Sequence, residues 1–189
     1  MATTLPTPAT ISANTNPTAA NLNTYRDSAQ QLQGLSPTGG QGPLDFFTAI
    51  QSSAQTGLGT GNNAITFSSA DEVIDSASGH VGGATASKYT GQTPGYYEVS
   101  GVVAHAGSTS GTNRTSFVSL NGNPIGGSRN QTGPAGAAVA VCLPTPVVYV
   151  YMNGTTDYVE LYGGADYASW ATVASTSAAC RLNVRWVHV

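Results

Sequence analysis

Three histidines and one short acidic cluster are the residues of this chain that could carry acid–base or metal chemistry. His80 lies in a Gly/Ser-rich segment, His105 ends an apolar run, and His188 is the penultimate residue. No two of them have the helical spacing of a metal motif such as H-E-x-x-H. The acidic cluster, residues 71–75, lacks the Gly-punctuated D-x-D loop of a calcium site. We therefore expect structural or surface histidines, a solvated acidic loop, and no metal or cofactor.

Nucleophilic and phosphate-binding motifs give no signal either. Serine is plentiful, but no G-x-S-x-G nucleophile elbow is present. The glycine pairs Gly126-Gly127 and Gly163-Gly164 do not belong to a strand-to-helix G-x-G-x-x-G unit. The sequence predicts no catalytic residue, and an enzyme is not expected.

Aromatic residues crowd the C-terminal part of the chain and offer a different kind of site. Most of them are expected to form core contacts and hairpin pairs. Tyr167 and Trp170 stand in the turn-like segment GGADYASWAT. They are candidate ligand-binding residues, which would stack on a sugar ring or insert into a neighbouring molecule. The alternative for both is an ordinary place in the core.

Cys142 and Cys180 are the two cysteines of the chain, and each lies in a strand-like run. One interpretation is a pair of buried free thiols, because free cysteine packs as a small hydrophobic residue. The other is a disulfide between two strands. The sequence leaves both open, since bridging depends on the distance between the two Cα atoms.

The composition excludes several classes of partner. Only 8% of the residues are charged, against roughly 25% in an average soluble domain. The surface is therefore built from hydroxyls, amides and backbone, as in rigid extracellular β-proteins. A net charge of −3, with six scattered basic residues, argues against a nucleic-acid partner. No apolar run is long enough for a membrane span, and the N-terminus lacks the pattern of a secretion signal, so neither is expected.

The central run Pro94–Ala106, PGYYEVSGVVAHA, predicts a half-buried strand. Tyr97, Val99 and Val103 fall on one face together with Gly101, whereas alternate residues such as Glu98 fall on the other. Further strand-like runs follow at short intervals, and no helical period separates them. They are predicted at 64–68, around 73–74, and at 87–90, 114–120, 137–143, 147–152, 157–162 and 180–189.

Two of these runs carry additional predictions. Asn121-Gly122, directly after the run at 114–120, is a strong signal for a two-residue hairpin turn. The run Val147–Met152, VVYVYM, is apolar at every position, so we expect it to be sandwiched or to face a neighbouring subunit. Eight to ten short strands with Gly-rich turns predict an all-β jelly-roll sandwich over residues 63–189.

The N-terminal third is predicted to be an appendage to this sandwich. Residues 1–16 form an extended arm rich in Thr, Pro and Ala, and residues 17–33 form one short α-helix with Asn16 as N-cap. The apolar stripe of this helix consists of Leu22, Tyr25, Ala29 and Leu32. It would fold back on the β-domain, form a short trimeric bundle, or dock on another protein. Residues 34–62 are a Gly/Pro-rich linker that includes the apolar segment Leu44–Ile50, a first strand or a plug under the sheets.

Two blocks of sequence resemble a known family. The segment TAANLNTYRDSAQQL, Thr18–Leu32, looks like the N-terminal helix of minor tail and virion-surface proteins of bacteriophages that infect actinobacteria. The blocks KYTGQTPGYYEVSG, LNGNPIGGS, YVELYGG and LNVRWV lie within the second region, Ala64–Val189. That region is similar to the jelly roll of tumour necrosis factor and complement-type globular heads, which the family uses as trimers.

The resemblance implies a non-enzymatic virion structural protein, either a minor tail protein or a capsid decoration protein. Its arm and helix would anchor it to major capsid or tail proteins, and a homotrimeric jelly roll would be displayed on the particle. The predicted strand Val147–Met152 is apolar on both faces, and we take three of its side chains as candidates for the trimer core, namely Val148, Val150 and Met152. The alternative is a tip module of a tail fibre that binds a host receptor or glycan through Tyr167 and Trp170.

Overall fold

The computed structural model of the chain describes residues 45–133 and 139–188. The predicted arm and helix, including Leu22, Tyr25, Ala29 and Leu32, lie outside the described residues, so these predictions stay open. Residues from Asp45 onwards belong to one compact unit. No helix in the described ranges is long and apolar enough to cross a membrane.

The described part of the chain consists of strands joined by loops and two short 3₁₀ turns, Ser69–Asp71 and Gly83–Thr85. The strands are β1 (Phe46–Ile50), β2 (Gly61–Ala64), β3 (Glu72–Asp75), β4 (Lys88–Thr90), β5 (Gly95–His105), β6 (Arg114–Leu120), β7 (Asn123–Pro124), β8 (Asn130–Thr132), β9 (Val141–Pro144), β10 (Val148–Met152), β11 (Tyr158–Ala165) and β12 (Arg181–His188).

These strands form two antiparallel sheets. Sheet 1 has the order β10-β5-β12-β1-β3, and β9 also pairs with β5, beyond the end of β10. Sheet 2 has the order β2-β11-β6-β7; β4 also pairs with β11, and β8 with β6. The strands of each sheet come from distant parts of the chain, as in β1 beside β12. The two sheets enclose one hydrophobic core.

The central strand β5 has the predicted face towards this core. Tyr97, Val99 and Val103 have no solvent exposure. Gly101 lies between them, and a Cβ at this position would come within 2.7 Å of Leu161 Cδ1 on sheet 2. The glycine therefore allows the two sheets to approach closely here.

The apolar segment before residue 63 is a strand and not a plug. β1 pairs with β12 on one side and β3 on the other, so sheet 1 begins well before the predicted start of the jelly roll. Asp45, directly before β1, is buried, and its Oδ2 accepts hydrogen bonds of 2.7 Å from both Gln92 N and Thr93 N. The Tyr97 hydroxyl donates to the same carboxylate. The start of the domain is thus tied to the turn that precedes β5.

The turns follow the predictions in part. Asn121 and Gly122 have φ of 52° and 77°, as a two-residue hairpin turn requires, and they lead into β7. The strand predicted at 64–68 is instead β2, because Gly61–Ala64 are the residues that pair with β11. After β9, which begins at Val141, the chain enters β10 in sheet 1, and the next strand, β11, belongs to sheet 2.

Candidate functional site

Trp170 is a core residue, so its prediction as a ligand-binding side chain is wrong. Its exposed fraction is 1%, and its indole Nε1 donates a hydrogen bond of 2.9 Å to Gly59 O. Its ring lies 4.9 Å from that of His105 and covers Gly163, where a Cβ would come within 2.7 Å of Trp170 Cη2. The segment around Trp170 is turn-like, but a bridge to Leu58 draws the indole into the sandwich.

Tyr167, the other candidate ligand-binding residue, is only partly exposed. Its ring packs against the core and lies 5.5 Å from the guanidinium of the fully buried Arg114. Arg114 in turn donates a hydrogen bond of 2.7 Å to Ser108 O. Since Trp170 is buried, the two aromatic residues do not form a shared exposed surface for a sugar ring or a neighbouring molecule.

The predicted trimer-core side chains belong to the core of a single chain. Val148, Val150 and Met152 are all buried in the hydrophobic cluster between the two sheets. The intervening residues of β10 point outward, because side chains alternate along a strand. β10 therefore has one inner and one outer face, and its valines and methionine are not available to a neighbouring copy.

The outer face of β10 forms an aromatic surface with the adjacent strand β5. We call it the tyrosine face; its members are Tyr149, Tyr151 and Tyr96, which are 61%, 52% and 43% exposed. Tyr151 is opposite Tyr96 in the register, and their rings meet edge to face with centroids 5.6 Å apart. The sequence shows this surface only as a tyrosine at every second position of β10.

A polar pair borders the tyrosine face. The Tyr149 hydroxyl donates to Glu98 Oε2 at 3.0 Å, and Arg185 Nη2 donates to the same oxygen at 3.1 Å. The hydrogen bond to Glu98, with the charge of that carboxylate, raises the pKa of Tyr149. Tyr149 is thus held in place on a rigid sheet while most of its ring stays in solvent.

The two cysteines are free thiols, so the disulfide prediction is wrong. Cys180 is buried and its thiol sulfur accepts a hydrogen bond from Ala104 N at 3.3 Å, whereas Cys142 is exposed. Burial raises the pKa of Cys180 to about 12, which keeps this thiol protonated. The prediction of two buried thiols holds for Cys180 alone.

The acidic cluster is a set of structural ties and not the solvated loop that the sequence indicated. Asp71 is buried and accepts hydrogen bonds from Ser52 N at 2.7 Å and Ser68 N at 2.6 Å. Glu72 Oε1 is 2.6 Å from Nδ1 of the buried His80. Because these carboxylates face different partners, they do not converge on a common point. No group of three or more possible metal ligands occurs among the described side chains.

His105 is buried with no exposed surface. Its Nε2 lies 3.2 Å from Thr115 O, and its Nδ1 has no hydrogen-bond partner within the described ranges. Burial lowers the pKa of His105 from 6.5 to about 4, and the nearby charge of Arg114 acts in the same direction. The ring is therefore neutral in the folded protein at pH 7, donating from Nε2.

Acid is expected to destabilise the protein through His105 between about pH 6.5 and pH 4. Above this window the ring is neutral in both states; within it the unfolded chain takes up a proton that the folded chain does not, so stability falls. A pKa of about 4 in the fold corresponds to a loss of roughly 3 kcal/mol by pH 4. Urea unfolding of the wild-type chain and of His105→Gln between pH 7 and pH 4 measures this loss of stability. Parallel pH profiles for the two proteins would contradict this assignment.

Comparisons with known proteins establish the fold. No protein-family model and no curated protein matches the chain. The crystal structure of murine APRIL at pH 5.0 is similar, with a TM-score of 0.53 and 11% identity over 76% of this chain and 99% of that one. Another crystal structure of murine APRIL, at pH 8.5, has a TM-score of 0.49 and 12% identity over 75% and 98%. For the PRD1 vertex protein P5 the TM-score is 0.48, with 15% identity over 76% and 97%. The likeness to APRIL at pH 5.0 shows a jelly roll like that of tumour necrosis factor and confirms the predicted fold class.

Proposed function

We propose that this chain is a non-enzymatic structural protein of a bacteriophage particle, displayed on the particle surface as a homotrimer. The tyrosine face is the observation that carries the proposal. Three large aromatic side chains on one outer sheet surface are 43% or more exposed in a single chain. Tyrosine is enriched where proteins meet, because it buries much apolar area and keeps a hydroxyl for hydrogen bonding.

The sequence indicated Val148, Val150 and Met152 as the contact between subunits. We propose that the tyrosine face makes this contact instead. Tyr96 and Tyr151 meet edge to face, and the ordered Tyr149 borders them. Side chains that are already fixed lose little conformational entropy when a second copy covers them. We propose that each copy places this face against its neighbours in the trimer.

The surface composition and the sequence resemblance support a place on a virus particle. Charged residues make up only 8% of the chain, so hydroxyls, amides and backbone must provide its solubility. The segment Thr18–Leu32 resembles the opening helix of phage tail and virion-surface proteins, and it precedes the jelly roll by a short linker. We propose that this N-terminal region attaches the chain to a major capsid or tail protein.

Mass spectrometry of purified phage particles, with peptide amounts measured relative to the major capsid protein, tests the virion assignment. We expect peptides of this chain at a fixed ratio to the capsid protein in particles from repeated preparations. A few to a few dozen copies per particle would indicate a tail protein, and hundreds would indicate capsid decoration. Particles that lack the chain, while it is abundant in the lysate, would contradict the proposal.

A further inference from the structure

A hollow in the outer face of sheet 2 lies where three neighbouring strands run side by side. Asn62 of β2 and Thr115 of β6 are both paired with Gly164 of β11, which lies between them. Because Gly164 has no side chain, the side chains of its two neighbours can close over it. A Cβ there would lie 2.6 Å from Thr115 Oγ1 and 2.8 Å from Asn62 Oδ1, so the two oxygens converge over the glycine. The cavity around this point has a volume of about 220 Å³.

Several polar groups that line this hollow have no protein partner. Thr115 is only 4% exposed, yet its hydroxyl makes no hydrogen bond to a described residue, and the same holds for the Asn62 amide. Asn113 Oδ1 is buried and unpartnered within the described ranges. The guanidinium of Arg129 lies 4.8 Å above the Phe117 ring but likewise has no hydrogen-bond acceptor among the described residues. The Asn62 and Arg129 side chains are exposed to solvent, and Asn113 Oδ1 is the buried atom of the set that lacks a partner among the described residues, so the hollow offers free donors and acceptors to a ligand.

The charges around the hollow favour a neutral ligand. The Asp166 carboxylate lines it and accepts hydrogen bonds from Thr112 N at 2.9 Å and Asn113 N at 3.1 Å, which fixes the loop before β6. Arg129 lines the hollow as well. An anion such as phosphate would therefore meet a carboxylate and amide oxygens, and a metal cation would meet a guanidinium.

We propose that this hollow binds a neutral sugar residue of a glycan. Each sugar hydroxyl both donates and accepts, which matches two amides, a threonine hydroxyl and a guanidinium. The volume is below the roughly 300–1,000 Å³ of sites for drug-sized ligands and suits a single sugar ring. The proposal goes beyond the display role and does not depend on it, since sugar binding and particle content are measured separately.

The neighbouring rung of the same sheet face extends the site. Tyr162 and Phe117 are opposite each other, next to Gly164 and Thr115, and their rings are stacked with centroids 5.1 Å apart. The partly exposed Tyr162 ring offers an apolar surface for a second sugar ring. An oligosaccharide should therefore bind more tightly than its monosaccharide.

Titration of the ¹⁵N-labelled full chain by NMR tests the proposal. The probes are D-glucose, D-galactose, D-mannose and N-acetyl-D-glucosamine, each at millimolar concentrations. At least one of them should give saturable shifts centred on Gly61, Asn62, Thr115 and Gly164. Thr115→Val and Asn62→Ala should each weaken binding by roughly fivefold, the effect of one lost hydrogen bond. Thr115→Val should remain at least as stable as wild type, because the hydroxyl it removes has no partner in the described structure.

The matched control is Gly126→Ala, where a Cβ meets nothing within 4 Å and binding should be unchanged. A linear tetrasaccharide of the best-binding sugar should bind more tightly than the monosaccharide, and Tyr162→Ala should remove only that gain. An equal affinity for both would overturn the assignment to a glycan. The proposal also fails if none of the four sugars gives saturable shifts, if Thr115→Val and Asn62→Ala bind like wild type, or if inorganic phosphate or Ca²⁺ binds in place of sugars.

Discussion

Replacing Trp170 by alanine is expected to destabilise the jelly roll by about 3–5 kcal/mol, the range observed when a buried aromatic side chain is truncated. The indole is 1% exposed, fills the space above Gly163 and lies beside the His105 ring. Its removal leaves a cavity between the sheets and removes one of the two hydrogen bonds that Gly59 O accepts, the other coming from Asn63 Nδ2. For a domain of this size the melting temperature should fall by roughly 10 °C or more.

Trp170→Phe is the matched variant, because it keeps most of the ring volume and removes the N–H group. The free energy of unfolding of Trp170→Phe should fall by less, about 1–2 kcal/mol, because only the hydrogen bond to Gly59 O and part of the ring area are lost. Urea unfolding of the full-length variants gives both free energies. The unfolding is monitored by far-UV circular dichroism, because tryptophan fluorescence changes with the substitution itself. If Trp170→Ala retained wild-type stability, the indole would have to lie at the surface, as expected for a ligand-binding side chain.

Local sequence patterns predict the strands and some turns of this fold well. β5 and β12 alternate between apolar and polar residues, and β6 is bounded by a strong hairpin signal. Alternation reports which side chains share a face, and it needs only neighbouring residues. The inward face of β5 and the turn at Asn121-Gly122 could therefore be predicted without knowing any partner strand.

The predictions that were wrong depend on contacts between distant parts of the chain. Trp170 is buried because its segment bridges to Leu58. Cys180, directly before β12, lies in the core, whereas Cys142 of β9 is exposed. In β10 the outward residues are tyrosines, so an apolar run hides the alternation between core and surface. The hollow lined by Gly164 exists only where β2, β6 and β11 come together, and no local signal marks it.

Two aspartate substitutions at adjacent positions of β10 should affect different properties, one the folding of the chain and the other its assembly into a trimer. Val150→Asp is expected to prevent folding, because it places a carboxylate in the hydrophobic cluster where no described cation pairs with it. Burying an unpaired charge costs several kcal/mol, and a loss of about 4 kcal/mol or more approaches the stability of an ordinary domain. The variant should be insoluble or unfolded by circular dichroism, at every protein concentration.

Tyr151→Asp should instead give a folded monomer, because Tyr151 is 52% exposed and its face is turned away from the core. An exposed substitution changes the free energy of unfolding by only about 0.5 kcal/mol, apart from the lost edge contact with Tyr96. In a trimer the same residue would bury a charge against a neighbouring copy, so the trimer should dissociate. Light scattering should give three times the chain mass for wild type and the single-chain mass for Tyr151→Asp. A monomeric wild-type protein would contradict the tyrosine face as the subunit contact, and so would Tyr151→Asp trimers that resist dilution as well as wild type does. A soluble, folded Val150→Asp protein would contradict the inward orientation of Val150 in β10.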